Sequence, residues 1–373
     1  MNSNLKEVFK YFFKLGFIAF GGPAAHVSMM QDDLVGRKKW LSTQEFLDYM
    51  GATNLIPGPN STEMTMHCGY HRAGVAGLFV AGMSFIFPAV LLTLLVAIFF
   101  ENISQVEWTA PIIAGIKASV LSFIAGAIIK LGKKAIKNYL LLVIGGIVLI
   151  ASLLGINEIV AILAAGFLAI CISFLRPSNR LNSLAIIPLL LITSTSYTPL
   201  KLFFIFLKVG AVLFGSGYVL FAYLDGELIN GLEWLTHSDL VEAIAIGQIT
   251  PGPVLSTATF IGYKVGGLSG AILATIGIFI PSFFYVWLLN PIVKKIRKNK
   301  ELSSFLEAVN TAAVAVMIAV TFKMAESILT SWPTILISII SFVVYFFIKK
   351  LNPVWIIAGG GLLGFLLDSI IGF

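Results

Sequence analysis

Asn54-Leu55-Ile56-Pro57-Gly58-Pro59-Asn60-Ser61-Thr62 is a polar, proline-flanked interruption in an apolar chain, and it returns in altered form as Gln248-Ile249-Thr250-Pro251-Gly252-Pro253. Pro57 and Pro251 stand 194 positions apart, and the same offset pairs Trp40 with Trp234, Gly58 with Gly252 and Phe20-Gly21 with Phe214-Gly215. Beyond Pro253 the register slips by one, so that Gly69-Tyr70 answers Gly262-Tyr263, Gly77 answers Gly270 and Pro88 answers Pro281. So many glycines, prolines and tryptophans at one spacing and in one order mark a duplicated unit.

The chain has 373 residues, 58% hydrophobic and only 12% charged. That is too little polar side chain to cover a soluble globule, and an integral membrane protein is expected. Apolar runs near the ~20 residues a helix needs to cross a bilayer lie at 77–100, 112–131, 139–154 and 156–175. The second half repeats them at 270–289, 305–325, 332–348 and 353–372. The net charge of +7 sits in short loops between these runs, where it reads as a topology signal and not as a nucleic-acid surface. Cys68 and Cys171 have no CxxC or histidine-rich company, so neither a disulfide nor a metal site is expected. Lys6, Lys10 and Lys14 ahead of small residues imitate a signal peptide, but the copy of that stretch lies mid-chain at 207–217, which argues against cleavage.

Residues 9–20 are apolar but too few to cross the hydrocarbon core, and they run into Gly21-Gly22-Pro23. Two glycines favour unwinding there and proline has no amide hydrogen to donate. The pattern predicts a hairpin that enters the membrane, breaks and returns to its own side. Ser42 and Glu45 have capping-box spacing and open the next segment, with Thr236 to Asp239 as a looser copy. Residues 46–56 are again half-length, end at Pro57-Gly58-Pro59 and continue from Asn60, which predicts a second re-entrant hairpin. Broken backbone at membrane depth is tolerated only where protein buries it or it lines a cavity, so the breaks should gather at one internal site.

The loops carry opposite charge in the two halves. Residues 101–108 have no Lys or Arg, whereas 290–300 hold Lys294, Lys295, Arg297, Lys298 and Lys300. Lys133, Lys134 and Lys137 answer a stretch, 326–331, that has no basic residue. Because short basic loops stay cytoplasmic, one half must sit upside down relative to the other. The expected fold is therefore an all-α polytopic membrane protein with two inverted-topology repeats, each with two re-entrant, broken-helix hairpins and about four transmembrane helices. The repeats are expected at 1–180 and 199–373, with 181–198 as a linker that makes a short membrane crossing.

Phe20-Gly21-Gly22-Pro23-Ala24-Ala25-His26, the stretch from Asn54 to Thr62 and the Gly-Tyr followed by spaced glycines resemble the chromate ion transporter family, in its fused two-domain form. The resemblance covers nearly the whole chain and holds in the order of the motifs as well as their content. It implies secondary transport of chromate, an oxyanion resembling sulfate, out of a bacterium across the cytoplasmic membrane. The second copy departs from the pattern: Gly22-Pro23 becomes Ser216-Gly217 and no histidine stands opposite His26, so the halves should not bind substrate alike.

An opened helix end exposes backbone amides suited to an anion. Neutral hydrogen-bond donors around it suit an anion that must also leave. The substrate-binding candidates are Gly21, Gly22, His26, Asn54, Pro57, Gly58, Pro59, Asn60, Ser61 and Thr62 in the first half. In the second they are Gly215, Ser216, Gln248, Thr250, Pro251, Gly252, Pro253 and Ser256. Each has a plainer reading: Pro-Gly-Pro as a packing kink, His26 as a satisfied core histidine. Glu63, beside the break, is a candidate proton carrier, while Glu45 reads as a cap. Arg72 and Lys264 read as entrance charges or as ordinary interfacial cations, and Lys117 as a substrate contact or as a side chain snorkelling to water.

No nucleophile elbow, HExxH, phosphate loop or catalytic carboxylate pair occurs, so no enzyme activity and no cofactor are expected. The rivals are sulfate uptake or a passive anion channel within transport, and a membrane enzyme acting on a lipid-linked phosphate outside it. The expected partners are a small oxyanion and the lipid bilayer, with no nucleic acid, and a homodimer stays open.

Overall fold

The computed structural model describes residues 3–20, 22–54, 56–104, 106–175, 197–214, 217–290, 300–348 and 351–371. The described residues form fourteen α-helices and no strand. Five helical stretches are long and apolar enough to cross a membrane, and 139–153, 158–172 and 332–347 are shorter apolar helices. The chain is thus an all-α, multi-pass membrane protein. Gly21, Gly215, Ser216, nearly all of the 181–198 linker and the basic 291–299 stretch lie outside the described residues.

In the first half, α1 (Ser3–Ile18) ends before the Gly-Gly-Pro break and α2 (Gly22–Met30) leads the chain back, packing on the later helix Asn60–Ile103. The return is fixed at its far end, where the Tyr11 hydroxyl donates to Asp33 and the Trp40 ring lies edge-on to Tyr11 at 5.8 Å. α3 (Thr43–Thr53) starts from a complete capping box, Ser42 with Glu45, and stops at the Pro57-Gly58-Pro59 break. α4 (Asn60–Ile103) is two arms: Ala73 and Gly74 leave the helical region, Gly74 with φ +64°, and the chain doubles back. A methyl group on Gly69 would strike the Gly77 carbonyl and Ala81, so the glycines are what let the arms 60–72 and 75–103 lie against each other.

The second half repeats this in detail. α8 (Pro199–Val212) corresponds to α1, the short α9 (Leu220–Leu224) lies in the return segment, and α10 (His237–Ile249) starts from the capping box of Thr236 with Asp239. α11 (Thr257–Leu289) turns at Gly266-Gly267, where Gly267 has φ +60° and ψ −150° against +64° and −155° at Gly74. Gly262 packs on the Gly270 carbonyl as Gly69 packs on that of Gly77. Gly16 faces the Phe85 carbonyl and Gly210 faces that of Ile278, which is the same contact one repeat later. Sequence reading started the full-length spans at Gly77 and Gly270; the structure starts them directly after the turns at Gly74 and Gly267, because only glycine accepts that left-handed backbone cheaply.

The remaining helices surround this centre. They are α5 (Ala110–Ala135), α6 (Tyr139–Leu153) and α7 (Glu158–Leu175), then α12 (Lys300–Ile328), α13 (Trp332–Phe347) and α14 (Pro353–Ile371). α12 packs against α5, α6 and α7 of the other half. α5 and α14 approach closely because Gly115 meets Gly360 and Pro111 meets Gly364. Without a hydrophobic force between helices in lipid, close backbone approach at small residues holds such pairs together.

The arms that carry the breaks set their depth. Residues 60–72 rise about 18 Å at 1.5 Å per residue, so a turn at the interface puts Pro57-Gly58-Pro59 near the middle of a hydrocarbon core of roughly 30 Å.

Candidate functional site

The two Pro-Gly-Pro breaks meet the ends of the first helices, each in the opposite half. Gly58 N–H donates to the Leu213 carbonyl at 2.7 Å, and Gly252 N–H donates to the Ala19 carbonyl at 2.9 Å. Ala19 and Leu213 are themselves separated by the repeat offset, so one hydrogen bond is the symmetry copy of the other. Both glycines have positive φ, +137° and +88°, which restricts these positions to glycine. Each break therefore meets a helix end of the other half, and orphaned backbone groups satisfy one another across the repeats.

The side chains around the crossing differ between the halves. Gly58 packs against the Glu63 carboxylate and the Ser282 hydroxyl, whereas the equivalent Gly252 packs against the Ala89 methyl group. Glu63 is fully buried, and neither carboxylate oxygen has a hydrogen-bond partner. Ser282 Oγ, Thr62 Oγ1 and Gln248 Nε2 are buried and equally unpartnered. On the Gly252 side, Thr93 Oγ1 reaches Thr250 at 3.4 Å and Ser256 at 3.3 Å, so those hydroxyls are satisfied among themselves. The Gly58 side thus holds an acid with the open Ser282 hydroxyl, and the Gly252 side a hydroxyl cluster with Gln248 Nε2 left open at the end of α10.

The remaining candidates are distributed around this centre. His26 is fully buried, its Nε2 lies 3.0 Å from the Ala19 carbonyl that also accepts from Gly252, and its Nδ1 has no partner. Asn60 donates to Asn54 at 2.8 Å and Asn54 donates to the Met50 carbonyl, so this pair braces the two sides of the first break. Pro59 caps α4, its carbonyl accepting from Thr62 and Glu63 amides, and Ser61 is buried at the second residue of the helix. Gly22 begins α2 with φ +77°.

The cationic candidates do not join the crossing. Arg72 pairs with Glu7 at 2.8 Å and lies over the Trp40 ring, at the turn end of its arm. Lys264 is held by Asp239 and Glu242 at 2.5 Å each. Lys117, expected to snorkel to water, instead reaches Glu242 at 2.6 Å and donates to Ser238 at 2.8 Å, because α10 of the other half brings an acid within reach. Glu45 is the capping residue that its spacing indicated.

Ser282, Thr93 and Glu242 escaped sequence reading. Ser282 and Thr93 sit in apolar runs with no spacing signal, and Glu242 becomes notable only when Lys117 arrives from another helix. His67 was missed as well, although its place one turn from Glu63 on the same helical face was a signal that could have found it.

A chromate transporter family model matches residues 6–170 and again 200–365. This chain belongs to the chromate transporter family. A chromate transport protein of Cupriavidus metallidurans is 31% identical, the alignment covering 96% of this chain and 92% of that one. A probable chromate transport protein of Synechococcus elongatus is 31% identical over 91% of this chain and 89% of its own. The uncharacterized transporter YwrA of Bacillus subtilis is 29% identical and covers 39% of this chain but 83% of itself, about one repeat. No solved structure matches this chain. Members of the chromate transporter family are transporters, which sets aside the enzyme acting on a lipid-linked phosphate.

Proposed function

We propose that this member of the chromate transporter family is a secondary transporter that exports chromate from the cytoplasm across the bacterial cytoplasmic membrane and so confers chromate resistance. Sulfate, of similar shape and charge, is a competing substrate. In this reading residues 1–180 and 199–373 are the inverted repeats, 181–198 crosses between them, and the anion passes through the crossing of the two breaks. The observation that carries the reading is the reciprocal pair of bonds from Gly58 to Leu213 and from Gly252 to Ala19, which joins each break to a buried helix end of the other half. Helix N-termini lend partial positive charge to an oxyanion there. The buried, unpartnered Ser282, Thr62 and Gln248 supply neutral donors.

Glu63 sets a condition on this site. An ionised carboxylate ~6 Å from a dianion is opposed by about 5 kcal/mol at an effective dielectric of 20, so Glu63 must be neutral when the anion is bound. The driving force is the membrane potential. At ~2.3 kcal/mol per charge per 100 mV, two charges leaving a negative-inside cell gain about 4.6 kcal/mol.

The test is flux in proteoliposomes with chromate, with sulfate and with both. Saturable chromate transport that sulfate inhibits is expected. Linear, unsaturable flux would make the protein a channel, and no chromate flux in well-inserted protein would overturn the reading.

A further inference from the structure

Glu63 does not stand alone on its arm. Residues 63, 67 and 71 are Glu, His and His, each one turn from the next along the 60–72 arm, so they share one face with Cβ atoms about 6 Å apart. Glu63 and His67 are fully buried and His71 is exposed, so the stripe runs from the break to the surface. Asn290 Oδ1 lies 3.1 Å from His67 Nδ1 and accepts its proton, which leaves His67 Nε2, buried and unpartnered, as a proton acceptor. Tyr49 of α3 bridges the two histidines: its ring stacks on His67 at 5.1 Å and its hydroxyl lies 3.4 Å from His71 Nδ1.

The elements packed around the stripe bring few charges to it. α11 offers Ser282 and Tyr285, the latter donating to the Ala211 carbonyl, and α3 offers Glu45 and Asp48 near its outer end. Arg72, beside His71, is held by Glu7 of α1. Arg72 and Lys38 both lie over Trp40, which places the His71 end with the basic Arg37-Lys38-Lys39 segment, the cytoplasmic side by the positive-inside rule. In the second half the equivalent positions are Ser256, Phe260 and Lys264, which cannot relay a proton inward.

We propose that Glu63, His67 and His71 are a proton-exchange path, open only to the cytoplasm, that neutralises Glu63 when the anion site fills and takes the proton back afterwards. The proton is then a reusable counter-charge and not a transported ion: it moves from His71 through His67 to Glu63 and returns by the same groups. This rests on the anion-export reading, and it adds that export follows cytoplasmic pH while its stoichiometry contains no proton.

Chromate flux is measured in right-side-out and inside-out membrane vesicles while the pH of the bathing face is stepped, with a trapped pH dye reporting proton movement. Purified protein is titrated with chromate by difference infrared spectroscopy. Flux should change several-fold with pH on the cytoplasmic face and not on the outer face, without proton movement in step with chromate. Chromate should raise the carbonyl band of a protonated carboxyl, and Glu63→Gln should remove both that rise and the pH response. His67→Phe, which copies the other half, and the gentler His67→Gln should keep the saturated band but slow its appearance at least tenfold. Equal response to either face, proton movement in step with chromate, or unchanged kinetics in both His67 variants would overturn the path. Absence of wild-type flux would instead overturn the export reading beneath it.

Discussion

The amide of Gly58 and the carbonyl of Leu213, from opposite halves of the chain, are joined by a 2.7 Å hydrogen bond at the point where both helices stop. Its copy joins Gly252 to Ala19 at 2.9 Å. A helix that breaks inside a bilayer leaves backbone groups that lipid cannot satisfy, at several kcal/mol each. Here each half supplies what the other lacks, so the breaks exist only because the two repeats are packed together. His26 adds its Nε2 to the same Ala19 carbonyl on one side, while the counterpart position on the other is Leu220.

Inverted topology makes a labelling prediction. Cysteine introduced at Asn102 or Ser331 should react with an impermeant thiol reagent from outside, and at Lys133 or Lys295 only from the cytoplasmic side. Labelling of positions 102 and 295 from one side would remove the inversion.

Gly252→Ala should reduce flux strongly and lower thermal stability by roughly 1–3 kcal/mol, since its methyl group would lie 2.7 Å from the Ala89 Cβ at a positive φ. Adding Ala89→Gly removes the contact but not the backbone strain, so it should restore part of both. Gly58→Leu has no such partner: its side chain would occupy the space of Glu63 and Ser282, and transport should be lost with insertion intact.

Lys117, Glu242 and Lys264 form a cross-half network in which one carboxylate serves two lysines at 2.6 and 2.5 Å. Glu242→Gln leaves the Lys117 ammonium without its carboxylate and Lys264 with Asp239 alone, and should destabilise more than Lys117→Gln. A double-mutant cycle in thermal unfolding should give a coupling of about 1–3 kcal/mol between Lys117 and Glu242. Additive losses would reduce the pair to a bystander.

Export driven by potential predicts a steep response to voltage. In vesicles without a pH gradient, a valinomycin-set potential of 100 mV should shift the chromate ratio at equilibrium by roughly a thousandfold for two charges, in the direction of net negative charge movement. Flux that ignores the potential and follows a transmembrane pH gradient would show that protons are carried with the anion.

Several layers were open to reading in one dimension because each is a local or periodic property. The apolar runs are periodic in length, the duplication is a fixed offset in glycine, proline and tryptophan, and the inversion is a contrast of loop charge. The capping boxes at Ser42 and Thr236 need only three residues of spacing, and both form. Pro-Gly-Pro announces a break because proline removes an amide donor and glycine admits positive φ.

The occupants of the break were not legible, because its partners lie far along the chain and arrive by packing. Leu213 reaches Gly58, Ser282 reaches Glu63's neighbourhood and Thr93 reaches Ser256 only after the other half has docked. Lys117 shows the same limit: on its own helix it is a lysine near an end, and Glu242 on α10 turns it inward. The sequence by itself determined that this is a duplicated, broken-helix membrane protein, since length, composition and spacing encode those features locally. Only the tertiary structure decided that each break is satisfied by a helix end of the other half and that one of them encloses an unpaired acid, because hydrogen bonding and burial between distant segments depend on geometry that no local pattern records.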